Sequence, residues 1–227
     1  MKTVILGAGM GSRLKKMTPK PLVILKNDKN ILDYQLEKIL KLSDNNDIIV
    51  VVGYKKEEIT NKYPQLTYVF NERYSQTNTG KSLLLALEST EPQDILWING
   101  DIFFEEGILP KLLEVNNSCV LVDQKKCSDE EVRYDLDDQG YIKNISKVVE
   151  KGVGEALGIN FIKKEDFSTF KKHLDLINDN DYFEKALENM IRADGVKVLP
   201  VSVGDLFCQE IDFPSDLENV QKYLFKG

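Results

Sequence analysis

The 227 residues are long enough to bury a substantial core, as one large domain or as one domain with a small appendage. Hydrophobic residues at 42% and charged residues at 30% place the chain in the ordinary soluble globular class. A formal net charge of -7 excludes general nucleic-acid binding, which demands a basic surface, but still allows a local basic pocket.

The chain opens on a short apolar run, Thr3-Val4-Ile5-Leu6, that reads as a strand. It runs into Gly7-Ala8-Gly9-Met10-Gly11-Ser12-Arg13, and Thr18-Pro19-Lys20-Pro21-Leu22 follows soon after. Three glycines at alternate positions let the backbone turn tightly with its N–H groups outward, and Arg13 and Lys20 bring two cations to the same concavity. Leu6, Gly7, Ala8, Gly9, Met10, Gly11 and Ser12 are thus a candidate cradle for a polyphosphate. A dinucleotide-binding fingerprint is the rival, since Gly7, Gly9 and Ser12 approximate it and Asp28 lies about twenty residues further on. Two features oppose it. Too little chain separates Gly11 from Pro19 for a crossover helix, and Pro19 and Pro21 block one. Asp28 moreover sits in the turn-like Asn27-Asp28-Lys29-Asn30. A merely connecting turn would need neither Arg13 nor Lys20.

Asn30 is a candidate N-cap for a helix carrying Ile31, Leu32, Leu36, Ile39 and Leu40 at helical spacing. The continuous β-branched run at residues 48–52 is a strand buried on both faces, as in parallel sheets. The cycle repeats with a helix near 55–63, a strand at 66–70, a helix through 82–87, capped by Thr79, and a strand at 95–98. Alternating strands and helices indicate an open, mostly parallel Rossmann-like α/β sheet flanked by helices, whose ligands bind beyond the carboxyl ends of the strands. One such end is Asn99-Gly100-Asp101. A carboxylate beside a triphosphate calls for a cation between them, and Mg2+ is the usual one, so Asp101 is a candidate metal ligand.

A helix at 105–115 and a strand at 118–122 follow. Residues 132–136 and 141–145 then alternate apolar and polar around Asp137-Asp138-Gln139-Gly140, the mark of a β-hairpin. A buried strand at 154–161, two amphipathic helices near 165–177 and 181–193, a strand at 196–201 and a last helix complete the chain. Ser215 with Glu218 fits a capping box for that helix. Cys119, Cys127 and Cys208 lack CxxC spacing and read as reduced structural thiols. His173, in a polar stretch, reads as a solvated surface residue. With no basic and apolar leader at the start and no window as long as a membrane span, the expected location is cytoplasmic, and nothing specifies an oligomeric state.

Leu6-Gly7-Ala8-Gly9-Met10-Gly11-Ser12-Arg13-Leu14 with Pro19-Lys20-Pro21-Leu22 resembles the signature of the sugar-phosphate nucleotidyltransferase superfamily, most like its CTP:phosphocholine cytidylyltransferase branch. The resemblance runs from Met1 to about Leu217. It implies a single domain with a nucleotide-binding half at 1–124 and an acceptor-binding half at 125–227, the hairpin forming a wall of the acceptor pocket. It further implies magnesium-dependent transfer of a nucleoside monophosphate, CMP from CTP, to a small phosphorylated acceptor such as phosphocholine. In that scheme Lys20 acts at the reacting phosphate, Arg13 on the departing pyrophosphate, and Asn78 and Ser82 at the base. Lys147, Glu155 and Gly158, in Ile-Ser-Lys and Gly-Glu-Ala-x-Gly-Ile sequences, would meet the acceptor. Asp212, in Glu-Ile-Asp-x-Pro-x-Asp-Leu, would join Asp101 on the metal. Tyr134, Tyr141 and Trp97 are candidate walls for a quaternary ammonium. The alternatives are a sugar-1-phosphate enzyme using UTP, dTTP or GTP, with a capsule or wall precursor as acceptor, and a non-catalytic nucleotide-binding regulatory domain.

Overall fold

The N-terminal apolar run forms β1 (Lys2–Gly7), buried on both faces. A computed structural model describes residues 1–11, 14, 18–124 and 131–226. In chain order β1 is followed by β2 (Ile24–Lys26), β3 (Lys29–Asn30), α1 (Ile31–Ile39), β4 (Ile48–Val52), α2 (Lys56–Lys62), β5 (Thr67–Phe70), α3 (Thr79–Glu88), β6 (Ile95–Asn99), β7 (Ile102–Phe104) and α4 (Ile108–Glu114). Then come β8 (Cys119–Asp123), β9 (Arg133–Leu136), β10 (Ile142–Ser146), β11 (Gly154–Ile162), α5 (Lys164–Leu176), α6 (Phe183–Asp194), β12 (Leu199–Ser202), β13 (Cys208–Glu210) and α7 (Pro214–Lys226).

The main sheet has the order β10-β9-β11-β6-β1-β4-β5, with β8 paired to β11 and β12 to β8. Strands β6, β1, β4 and β5 are mutually parallel, as the continuous buried runs of β6, β1 and β4 lead one to expect, with β5 the part-exposed edge. The long β11 runs antiparallel to β6, β8 and β9, and β9 and β10 form the expected hairpin. One face of the sheet packs Val4, Leu6 and Trp97 against Leu83 of α3, Phe170 of α5 and Met190 of α6. The other packs Ile5, Val50 and Ile98 against Leu36 of α1, Ile59 of α2 and Leu109 of α4. A smaller cluster, including Leu25, Phe103, Ile211 and Val220, seats α7.

Local signals behave as their chemistry dictates, with three corrections. Asn27 and Asp28 take left-handed φ of 50° and 59° in a two-residue hairpin turn, so Asp28 is a turn residue. Asn30 and Asp33 form a reciprocal capping box on α1. The first correction is at α3, where Asn78 rather than Thr79 is the N-cap. The second is at α7: Ser215 already lies inside the helix, and Asp216 accepts from the N–H groups of Phe213 (2.7 Å) and Asp212 (3.1 Å), the role expected of Glu218. The third is His173, which is 6% exposed on the inner face of α5 and hydrogen-bonded to Asp194 of α6. It shares that face with Phe167, Phe170 and Leu174, so the 3.6-residue period overrides the polar neighbourhood. Cys119 is a buried thiol that desolvation pushes up to about 12, and Cys127 lies outside the described residues. No described helix is long and apolar enough to cross a membrane.

Candidate active site

From β1 the chain moves outward on one side to β4 and β5, then returns to β6 on the other side of β1. The crevice beyond the carboxyl ends of β1 and β6 is therefore a topological switch point, where such sheets bind ligands. Leu6 lies in register with Asn99, and Gly100 N–H donates to the Leu6 carbonyl at 2.9 Å. A cavity of about 790 Å³ opens there.

At one end of the cavity, Leu6, Gly7, Gly9, Gly11 and Lys20 form the lining. Ala8 is buried behind this floor, its carbonyl accepting from Tyr54 N–H at 3.2 Å, and Met10 is exposed to solvent; neither lines the cavity. Ser12 and Arg13 lie outside the described residues. Gly11 has a φ of 60°, and a Cβ on it would come within 2.8 Å of the Lys20 Cγ. Glycine there lets the lysine arm cross the cradle.

Two distant segments converge on that lysine. Strand β7 pairs antiparallel with β13, setting Glu210 opposite Ile102, and Ile211 N–H donates to the Asp101 carbonyl at 2.9 Å. This register delivers Asp212 beside Asp101. Lys20 Nζ donates to Asp101 Oδ2 at 2.7 Å and also to Asp212 Oδ1, 192 residues away in sequence. Burial works against its ammonium, but the two carboxylates outweigh it and hold Lys20 above the usual lysine range.

Glu210 is the residue the sequence reading missed. Its carboxyl joins those of Asp101 and Asp212, with one oxygen of each within 4.8 Å of the others. Asp101 above all, then burial of the carboxyl and Asp212, raise the Glu210 carboxyl well above its usual range, although the residue as a whole is exposed. Crowding of like charges is the larger effect. Its place two residues before Asp212, at the last position of β13, was the available signal. The donor set fits a hard divalent cation. Three carboxylates converge, and Asp101 Oδ1 is buried without a hydrogen-bond partner among the described residues.

At the other end, Lys147 just past β10, and Glu155 and Gly158 of β11, line the cavity. Gly158 has a φ of 68° where the β11 register shifts, and a Cβ would lie 2.5 Å from the Asn99 Nδ2. Lys147 Nζ sits 4.8 Å above the ring of Tyr182, which with Phe183 and Glu184 brings the start of α6 into the lining. The sequence reading saw no chemistry in α6.

Asn78 lines the cavity, while its side chain caps Thr79 N–H at 2.8 Å and its own N–H donates to Asp179 at 2.8 Å. Ser82 does not line it: 5% exposed, its hydroxyl accepts from Asn71 Nδ2 at 2.9 Å. The expected aromatic walls are also elsewhere. Trp97 and Tyr134 are wholly buried, Trp97 stacking on Phe170 at 5.2 Å, and Tyr141 lies under Lys197 at 5.1 Å outside the lining.

Residues 3–134 match the MobA-like NTP transferase domain. The choline-phosphate cytidylyltransferase of Streptococcus pneumoniae is 31% identical over 99% of this chain and 98% of its own length. The CTP:phosphoglutamine cytidylyltransferase of Campylobacter jejuni is 29% identical over 96% of this chain and 98% of its own. The bifunctional protein GlmU of Methanococcus maripaludis is 33% identical over 71% of this chain, which spans only 38% of that protein. A solved structure of the Streptococcus pneumoniae CTP:phosphocholine cytidylyltransferase has the same fold, with a TM-score of 0.82 at 24% identity over 98% of both chains.

Proposed function

This chain belongs to the MobA-like NTP transferase family, and we propose that it transfers CMP from CTP to a small phosphorylated acceptor such as phosphocholine, releasing pyrophosphate. The observation that carries the reading is Lys20, drawn across a glycine floor at the switch point and held between Asp101 and Asp212. The choice of CTP is supported by the whole-length likeness to two cytidylyltransferases.

An acceptor phosphate oxygen attacks the α-phosphorus of CTP. That P–O bond forms as the bond to the α,β-bridging oxygen breaks, and the electron pair leaves with pyrophosphate. No covalent nucleophile on the protein is needed, so positioning and charge neutralisation carry the catalysis. Lys20 sits where it can neutralise the reacting phosphate, and the N–H groups of the Gly9 and Gly11 turn add donors. Arg13 is assigned to the departing phosphates. Asp101, Glu210 and Asp212 would hold Mg2+, which when bound supplies charge neutralisation at the phosphates. Lys147 is assigned to the acceptor's phosphate and Asn78 to the base, a reading supported by their place in the cavity lining.

Pyrophosphate release, with CTP, UTP, dTTP and GTP crossed against phosphocholine and sugar 1-phosphates, tests the reading. Release with CTP and phosphocholine is expected. Release confined to another nucleotide with a sugar 1-phosphate would move the protein to the sugar-nucleotide class, and CTP binding without release across the panel would make it a regulatory domain.

A further inference from the structure

The start of α6 carries a carboxylate that the transfer chemistry leaves unused. Glu184 is 7% exposed and lines the cavity, and its Oε2 is shut off from water without a hydrogen-bond partner among the described residues. One turn further on, Glu188 is equally buried but engaged, with Lys185 at 3.1 Å and Arg192 at 3.3 Å. Natural proteins bury a carboxylate when it is paired, so the contrast on one helix points to a partner that Glu184 takes from outside the chain.

The surrounding charges say what that partner is. Lys147 is the cation whose field reaches Glu184, but its ammonium lies over the Tyr182 ring, and no ion pair joins the two. Glu210 feels the charge of Glu184, and Glu131 and Glu155 line the same cavity. Glu131 and Glu155 are engaged with other groups, so at this end Glu184 is the carboxylate left open to a bound cation, and Lys147 is the lysine of the described lining. An acceptor bearing only a phosphate would meet Lys147 and leave the Glu184 carboxylate unpaired. One that also carries a cation would put its phosphate toward Lys20 and Lys147 and its positive end among the acids and the rings of Tyr182 and Phe183.

We infer that Glu184 is a specificity-determining residue that selects acceptors combining a phosphomonoester with a positive charge, the phosphates of amino or quaternary-ammonium alcohols, by pairing its carboxylate with that charge. This rests on the transferase reading, and binding can be measured independently of turnover. Calorimetry should compare phosphocholine with its uncharged isostere 3,3-dimethylbutyl phosphate, both titrated into the intact protein.

The wild type should bind phosphocholine more tightly by a factor on the order of ten or more, and Glu184→Gln should erase that preference by weakening phosphocholine alone. Equal binding of the two ligands, binding of neither, or a preference that survives in Glu184→Gln overturns the inference. Should Glu184→Gln not fold, Glu184→Asp draws the charge back by one methylene and should lose part of the preference; an unchanged preference overturns it. In parallel, pyrophosphate release with a sugar 1-phosphate but not phosphocholine would leave nucleotidyl transfer standing and remove this inference.

Discussion

The two ends of the cavity handle buried charge in opposite ways. At the nucleotide end the protein supplies Lys20 with its own partners, Asp101 and Asp212, whose attraction more than offsets its burial, and leaves only the surplus negative charge of the Asp101, Glu210 and Asp212 cluster for a bound cation. At the acceptor end Glu184 has no such partner among the described residues, and burial pushes its carboxyl up to about 7, eased by its own backbone N–H and the field of Lys147. A pair completed within the chain sets the geometry of a reaction centre in advance. A charge left uncompleted makes the chain depend on what binds.

Complete loss of turnover on adding EDTA, with recovery on adding Mg2+, is the largest effect expected at the first end. Pyrophosphate release follows it, and full activity in chelator would remove the three-carboxylate site. Lys20→Ala comes next, with a loss of about 10²–10³-fold in kcat, the scale of one lost charge-stabilising donor. Near-normal turnover in that variant would detach the paired end from the chemistry.

At the second end, the sign of the pH dependence follows from the raised carboxyl. The folded protein holds the Glu184 proton more tightly than the unfolded chain, so the stabilisation is fully present below pH 4.5 and is lost as pH rises through about 7. At about 1.4 kcal/mol per pH unit, the ionised side chain costs the fold at most about 3 kcal/mol by pH 8. Glu184→Gln should therefore gain stability relative to the wild type between pH 5 and pH 8, as read by urea unfolding. A difference that stays constant over this range would mean that Glu184 is already paired. Between the two ends, Gly158→Ala should destabilise by about 1–3 kcal/mol, since it forces a side chain into left-handed backbone and against Asn99. Unchanged stability would show that the bulge in β11 can relax.

The paired end was the more legible of the two in the sequence. Its parts lie in compact stretches whose residue order states their geometry: glycines before a proline-locked lysine, and an aspartate at the tip of an apolar strand. Glu210 escaped because its role depends on the β7–β13 register, which pairs segments far apart in sequence. The parallel sheet followed from the unbroken runs of β1, β4 and β6, which only helices on both faces can cover. The acceptor end was read poorly. The aromatic walls expected for a quaternary ammonium are not at the cavity, because Trp97 belongs to a continuous buried strand and Tyr134 to the inward face of an alternating one. Ser82, expected at the base, is turned toward Asn71 by its place in α3. Glu184 escapes a sequence reading because an amphipathic pattern accounts for the whole of α6, and nothing local reveals that one acid on its buried face lacks a partner among the described residues.

The most direct test of the account is a phosphorus NMR spectrum of the protein with CTP, phosphocholine and Mg2+. The account predicts signals of a new pyrophosphate diester joining cytidine to choline, together with free pyrophosphate in equal amount. Release of CMP in place of that diester, or persistence of CTP unchanged, would contradict nucleotidyl transfer to phosphocholine at this cavity.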